Sequence, residues 1–251
     1  MTKIFQPFTI KDITFKNRLG MSPMCQYSAQ DGFANDWHLV HYGSRAVGGT
    51  ALIIVEATGV SPIGRITPDD LGLWKGEQIE PLKKIVDFVH QQGAKAGIQI
   101  AHAGRKAAHS SPFKGEKQLS IDEGGWETVA PSAIPFRSEE FPPHELTKSE
   151  IQEVVNQFKD AAVRALKAEF DVLEIHAAHG YLIHQFLSPI SNFRTDEYGG
   201  CFDNRIRFLF EVLTAVQSVW PKNLPLFVRL SATDWVENGW NIQETTALCK
   251  I

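Results

Sequence analysis

The chain has 251 residues, 43% of them hydrophobic and 22% charged, with a formal net charge of −4. That length buries a sizeable core in one large domain or two small ones, and the balance is globular, with no basic footprint for nucleic acid. No stretch approaches the roughly 18 apolar residues of a membrane span, and Met1-Thr2-Lys3-Ile4-Phe5-Gln6-Pro7 has no apolar leader core, so a cytoplasmic location without a membrane partner is expected. Cys25, Cys201 and Cys249 are odd in number and widely spaced, which fits reduced thiols better than a disulfide framework.

In chain order, short apolar strands alternate with helices, the rhythm of a parallel sheet. Leu19 to Met24 is the first strand candidate. A helix capped by Asp36 follows through Trp37, Val40, Ala46 and Val47, and stops at Gly48-Gly49. Ala51-Leu52-Ile53-Ile54-Val55 is continuously apolar, as strands covered on both faces are. Ile79, Leu82, Val86 and Val89 recur at helical spacing, Gly93 ends that helix, and Lys95 to Ala101 makes a third strand. From Ala103 to Leu146 the rhythm breaks at Ser110-Ser111-Pro112, Gly124-Gly125, Pro131, Pro135 and Pro142-Pro143. An excursion this long is expected to be an ordered lid, with Trp126, Phe136 and Phe141 as its apolar anchors.

Thr147-Lys148-Ser149-Glu150 has the pattern of a capping box, followed by a helix whose apolar face is Ile151, Val154, Val155, Phe158, Ala162, Ala165 and Leu166. Asp171-Val172-Leu173-Glu174-Ile175-His176 reads as a fourth strand. A further helix carries Ile206, Leu209, Phe210, Leu213, Val216 and Trp220, and Leu226 to Leu230 is the fifth strand. Asn241-Ile242-Gln243-Glu244 opens a last helix. The expected organisation is one incomplete (β/α) barrel domain over 1–251, with the excursion at 103–146 and five strand-helix units of the eight that a closed barrel needs.

In a parallel sheet the strand C-termini share one face, which collects Met24-Cys25, Glu56-Ala57, Gln99 to His102, His176-Ala177-Ala178-His179 and Arg229-Leu230-Ser231. Histidines can donate to an oxyanion, Tyr181 is a proton donor of high intrinsic pKa, Cys25 a soft thiol, Gln99 an amide and Arg229 a fixed cation. Alternatives stand beside these roles. His176 and His179 with His184 could bind a metal in a barrel hydrolase, although no carboxylate cluster supports it and no metal site is assigned. Tyr181 could be a loop aromatic, Cys25 a small buried hydrophobe, and Arg229 a structural ion-pair partner.

Asn17-Arg18 with Met21-Ser22-Pro23-Met24-Cys25-Gln26-Tyr27-Ser28, Gln99-Ile100-Ala101-His102-Ala103-Gly104-Arg105-Lys106, Ile175-His176-Ala177-Ala178-His179-Gly180-Tyr181-Leu182, and Asn192-Phe193-Arg194-Thr195-Asp196-Glu197-Tyr198-Gly199-Gly200 occur in this order. Together they resemble the old yellow enzyme family of flavin-dependent ene-reductases, in its bacterial class with a flavin-facing cysteine. The resemblance implies a (β/α)8 TIM barrel holding FMN, an NAD(P)H reductant and an enone- or enal-type substrate whose activated C=C bond is reduced. It implies that His176 and His179 bind the substrate carbonyl, that Tyr181 protonates the α carbon and that Tyr27 meets the substrate. By the same resemblance Ser22, Pro23, Met24, Cys25, Ala57, Gln99 and Arg229 hold the flavin, and a homo-oligomer is common.

Two departures from the family pattern bear on these expectations. Glu169 stands where relatives usually place glycine, so a strained or reshaped turn is expected there. The loops after the family's last two strands, which bind the FMN phosphate, have no counterpart here. An alternative expectation is therefore an inactive or weakly active fragment.

Overall fold

A computed structural model describes residues 2–251. The chain opens with an antiparallel hairpin, β1 (Phe8–Ile10) and β2 (Ile13–Phe15), turned at Lys11 with φ of 50°. β3 (Gly20–Met21), α1 (Asp36–Val47), β4 (Leu52–Gly59), α2 (Ile79–Gln91) and β5 (Lys95–Ala101) follow. The excursion contains a small parallel pair, β6 (Val129–Ala130) and β7 (His144–Glu145). Then come α3 (Lys148–Lys167), β8 (Val172–Ala177), α4 (Leu182–Leu187), α5 (Phe202–Gln217), β9 (Leu226–Leu230) and α6 (Ile242–Leu248).

The main sheet has five strands in the order β3-β4-β5-β8-β9, all parallel. Side-chain alternation gives the sheet two different faces. Ile53, Val55, Ile98, Ile100, Leu173 and Ile175 belong to the main core with residues of α1, α2, α3 and α5. On the other face Val172 packs with Ile13, Phe15 and Ala51, so the hairpin closes the N-terminal end of the sheet. Further along that same face the residues become polar: Gln99, Glu174, His176 and Arg229. Hydrophobic closure at one end and polar groups at the other aim the chemistry at the strand C-termini.

Several expectations are corrected. Only Gly20–Met21 of the first predicted strand is a strand; Pro23 has no N–H for a ladder, and the chain leaves the sheet before it. Asn35 rather than Asp36 caps α1, accepting from the Trp37 N–H at 3.1 Å. The buried face of α1 is His38, His41, Tyr42 and Ala46, whereas Trp37, Val40 and Val47 are exposed. The capping box of α3 is formed, with Thr147 Oγ1 accepting from Glu150 N–H, and Phe158 is fully buried. Glu169 has a left-handed φ of 65°, the strained turn expected from a residue with a Cβ at that place.

Residues 103–146 are tied down. Trp126 Nε1 donates to Ile63 O at 2.9 Å, Arg105 Nη1 to Ile134 O at 3.2 Å, and His109 pairs with the buried carboxylate of Glu140 at 2.9 Å. Phe136 and Phe141, expected as anchors, are exposed. A surface hollow of about 670 Å³ lies on the outer side between β9 and α5, lined by Leu209, Phe210, Leu213, Val228 and Leu230, away from the polar strand ends. No described helix is long and apolar enough to cross a membrane.

Candidate active site

β8 carries His176 to the edge of the polar face, where it stands in register with Arg229 of β9. His176 is 3% exposed, and its Nδ1 accepts the Ala178 N–H at 3.2 Å. A ring nitrogen that accepts carries no proton, so the His176 proton sits on Nε2 and the ring presents a donor. The chain then turns through His179, at φ of 60°, and Gly180, at φ of 72°. This double left-handed turn folds the two imidazoles and Tyr181 onto one another: the His176 ring centroid is 5.0 Å from that of His179 and 4.9 Å from that of Tyr181, both edge-on. Backbone strain at a non-glycine residue persists only where its surroundings over-determine it. Here Ser231 Oγ accepts the His179 N–H at 2.9 Å, and Lys106 Nζ donates to His179 O at 3.1 Å.

The electrostatics keep this cluster neutral. Burial, reinforced by the His179 ring and the Arg229 charge, pushes His176 down to about 3. Burial and then Arg229 and Lys106 lower His179 as well. Burial raises Tyr181 far above the ordinary phenol range, so its proton is held at any physiological pH. Neutral imidazoles that donate N–H beside a protonated phenol make a site able to receive a developing oxyanion and to deliver a proton.

Tyr27, also with a left-handed φ of 50°, lines a cavity of about 90 Å³ with Thr67, Lys106, Phe136 and Tyr181. The structure thus brings Tyr27 to Tyr181. Lys106 Nζ lies 5.2 Å from the Tyr181 ring centroid and 4.6 Å from that of Phe136, which links the loop to the excursion. Among the other sequence-predicted residues, Ala57 and Gln99 are buried on the same sheet, Pro23, Cys25 and Arg229 are half-buried, and Ser22 and Met24 are exposed at the strand ends. The Cys25 sulfur faces the Ala57 backbone N–H, and burial, Asp70 and Glu56 hold it as a thiol. His184 does not join His176 and His179; its Nε2 is 2.7 Å from Asp234 Oδ1. Among the described residues no three His, Cys, Asp or Glu side chains form a metal-binding group.

Sequence reasoning gave no role to Glu174. Its carboxylate accepts Gln99 Nε2 at 2.7 Å and feels the charge of Arg229, while burial raises its pKa. That contact orients the Gln99 amide and leaves the carbonyl oxygen free. Ser231 and Glu56 likewise have no role in the sequence reading, and Lys106 only a lid or charge-pair role; a contact across distant strands leaves no periodic signal in the sequence.

The sequence profile of the NADH:flavin oxidoreductase / NADH oxidase family matches residues 3–251. The chain belongs to this family. It is 51% identical over its whole length to an NADH:flavin oxidoreductase of Gibberella zeae, of which it covers 64%, and 52% identical to an NADPH dehydrogenase of Listeria innocua, of which it covers 70%. Among solved structures it is similar to Old Yellow Enzyme from Pichia sp., with 33% identity and a TM-score of 0.81 over 91% of this chain and 59% of that one. The old yellow enzyme homologue from Zymomonas mobilis gives 31% identity and a TM-score of 0.83 over 99% of this chain and 69% of that one. The five-stranded sheet is therefore part of a TIM-type barrel. FMN is the cofactor of this family and a reduced nicotinamide its electron donor.

The residues present fit the ring system of FMN. The Gln99 amide, oriented by Glu174, offers a carbonyl acceptor and one N–H. The Arg229 guanidinium forms no salt bridge or side-chain hydrogen bond among the described residues and supplies a positive charge beside it. Pro23, Cys25 and Ala57 are small enough to leave room for a flat ring.

Proposed function

We propose that this chain carries the substrate end of an FMN-dependent NAD(P)H oxidoreductase that reduces the activated C=C bond of an α,β-unsaturated carbonyl compound. The observation that supports it best is the triad of His176, His179 and Tyr181, packed edge to edge at the end of β8 and held neutral. When bound and reduced by the nicotinamide, the flavin would supply the hydride that the β carbon of the substrate receives. His176, through Nε2–H, and His179 hold the carbonyl oxygen and stabilise the charge that gathers there. Tyr181 gives its O–H proton to the α carbon. Ser231 and Lys106 fix the His179 backbone against the strained turn, and Tyr27 bounds the substrate opposite Tyr181. Ser22, Pro23, Met24, Cys25 and Ala57 would lie along the flavin ring, with Gln99 and Arg229 at its polar edge. Residues 103–146 act as an ordered lid that excludes water above Tyr181.

The test is anaerobic turnover of the purified protein with added FMN, NADPH and 2-cyclohexenone. Equal losses of NADPH and enone are expected, with His176→Ala slower by about 10²–10³-fold. Protein that leaves both unchanged in the presence of excess FMN would overturn the reading.

A further inference from the structure

β4 does not run straight to the site. Its pairing with β5 slips between Val55 and Thr58, so Glu56 and Ala57 form a bulge that re-aims both residues. Glu56 is fully buried, which for a carboxylate demands partners. It has them: Tyr42 O–H donates to Oε2 at 2.5 Å, and the Gln26 N–H donates to Oε1 at 2.9 Å. The Glu56 N–H in turn donates to the Tyr42 oxygen at 3.0 Å, so α1 buttresses the bulge from behind. One residue further on, the Ala57 N–H faces the sulfur of Cys25. The loop after β3 is therefore fastened to the bulge through the Gln26 N–H on the Glu56 carboxylate, with the neighbouring Cys25 sulfur lying toward the Ala57 N–H.

We propose that Glu56 is the positioning residue for Cys25: its carboxylate, on the Gln26 N–H, locks the Cys25-Gln26 segment to the bulge of β4 and so fixes where the thiol stands. That Cys25 then faces a flavin rests on the function proposed above; the link between Glu56 and the thiol does not. The same carboxylate also acts on the thiol by its charge. The groups that face Glu56 are Tyr42 and His38 from α1, with His41 beside them, Cys25 itself, and Asp70 from the loop after β4. His38 Nδ1 lies 3.1 Å from the Asn35 backbone nitrogen and 3.0 Å from Asn35 Oδ1, and its Nε2 stands 3.9 Å from Glu56 Oε2 with no hydrogen-bond partner. Burial keeps that imidazole neutral down to about 4, so no full positive charge offsets the carboxylate. Burial also lifts Glu56 to about 7, so the carboxyl that holds the Cys25-Gln26 segment to β4 titrates near neutral pH.

The experiment is alkylation of Cys25 by iodoacetamide as a function of pH, read by mass spectrometry on flavin-free protein in which the exposed Cys201 and Cys249 are replaced by serine. The parent should react slowly, with a midpoint well above that of a free thiol. Glu56→Gln keeps an acceptor for the Gln26 N–H and removes the charge, so its midpoint should fall while its limiting rate stays that of the parent. Glu56→Ala frees the segment, and its limiting rate should rise about tenfold, the size of one lost hydrogen bond to a charged group. A purely structural role would lower stability without moving either quantity. Profiles of both variants that superimpose on the parent would overturn the proposal, and if the alanine variant fails to fold, the glutamine midpoint alone decides. With FMN added, Glu56→Gln should also shift the flavin reduction potential. Failure of the parent to bind FMN sinks the flavin reading, while the thiol profile still decides this one.

Discussion

Acidification should unload the His176 ring from the protein in a way that can be measured without any cofactor. The ring is 3% exposed, accepts the Ala178 N–H and is held down to about 3 from an ordinary 6.5. The folded state favours the neutral form, so its stabilising share is fully present above the unfolded value and is lost as the pH falls from about 6.5 toward 3. At about pH 5 the loss covers some one and a half pKa units, on the order of 2 kcal/mol. The perturbation is His176→Gln, whose side-chain oxygen can still accept the Ala178 N–H but which does not titrate. Urea unfolding of both proteins at about pH 7.5 and about pH 5 should show the wild type losing roughly 2 kcal/mol more than the variant. Equal losses in the two proteins, or a His176 ring that titrates near its ordinary value by NMR, would refute the buried neutral imidazole on which the site's donor chemistry rests.

Other outcomes follow from single contacts. Glu169→Gly should raise stability by about 1 kcal/mol, because the residue sits at a left-handed φ of 65° and its ion pair with Lys83 is solvent-exposed; a lower melting temperature would contradict this. Phe158→Ala empties a fully buried site between α3 and the sheet and should cost roughly 3–5 kcal/mol in chemical denaturation. Tyr181→Phe removes the proton donor without opening a cavity, so kcat for enone reduction should fall by about 10²-fold with KM little changed; an unchanged kcat would remove Tyr181 from the proton-transfer role.

The parts of the fold that the sequence makes legible are those with a regular apolar pattern. β4, β5 and β8 are almost wholly buried runs, β9 is a half-buried one, and α3 combines a capping box with a regular apolar face. The hairpin β1–β2 is not legible, because its turn uses Lys11 in the left-handed region rather than a glycine or asparagine. α4 is too short, at six residues, to show a period. α1 misleads because its buried stripe is the polar His38, His41 and Tyr42, while its apolar residues Trp37, Val40 and Val47 face solvent. At the candidate site, the strand-end positions of His176, Gln99 and Arg229 follow from the parallel alternation, and the resemblance supplied roles for them. Glu56 and Glu174 escaped a role because a carboxylate within an apolar run says nothing of its partner: Tyr42 and Gln26 for one, Gln99 for the other. The bulge that places Ala57 depends on strand pairing, which no local window contains.

The central claim is that the C-terminal face of this sheet seats a flavin between the Cys25 segment and the Gln99–Arg229 edge. Titration of the purified protein into FMN, followed by quenching of the flavin fluorescence, tests it most directly. Saturable quenching is predicted for the wild type, weaker binding for Gln99→Ala and Arg229→Met, and unchanged binding for His179→Ala, which lies on the substrate side. Absence of saturable binding, or equal binding by all four proteins, would contradict the claim.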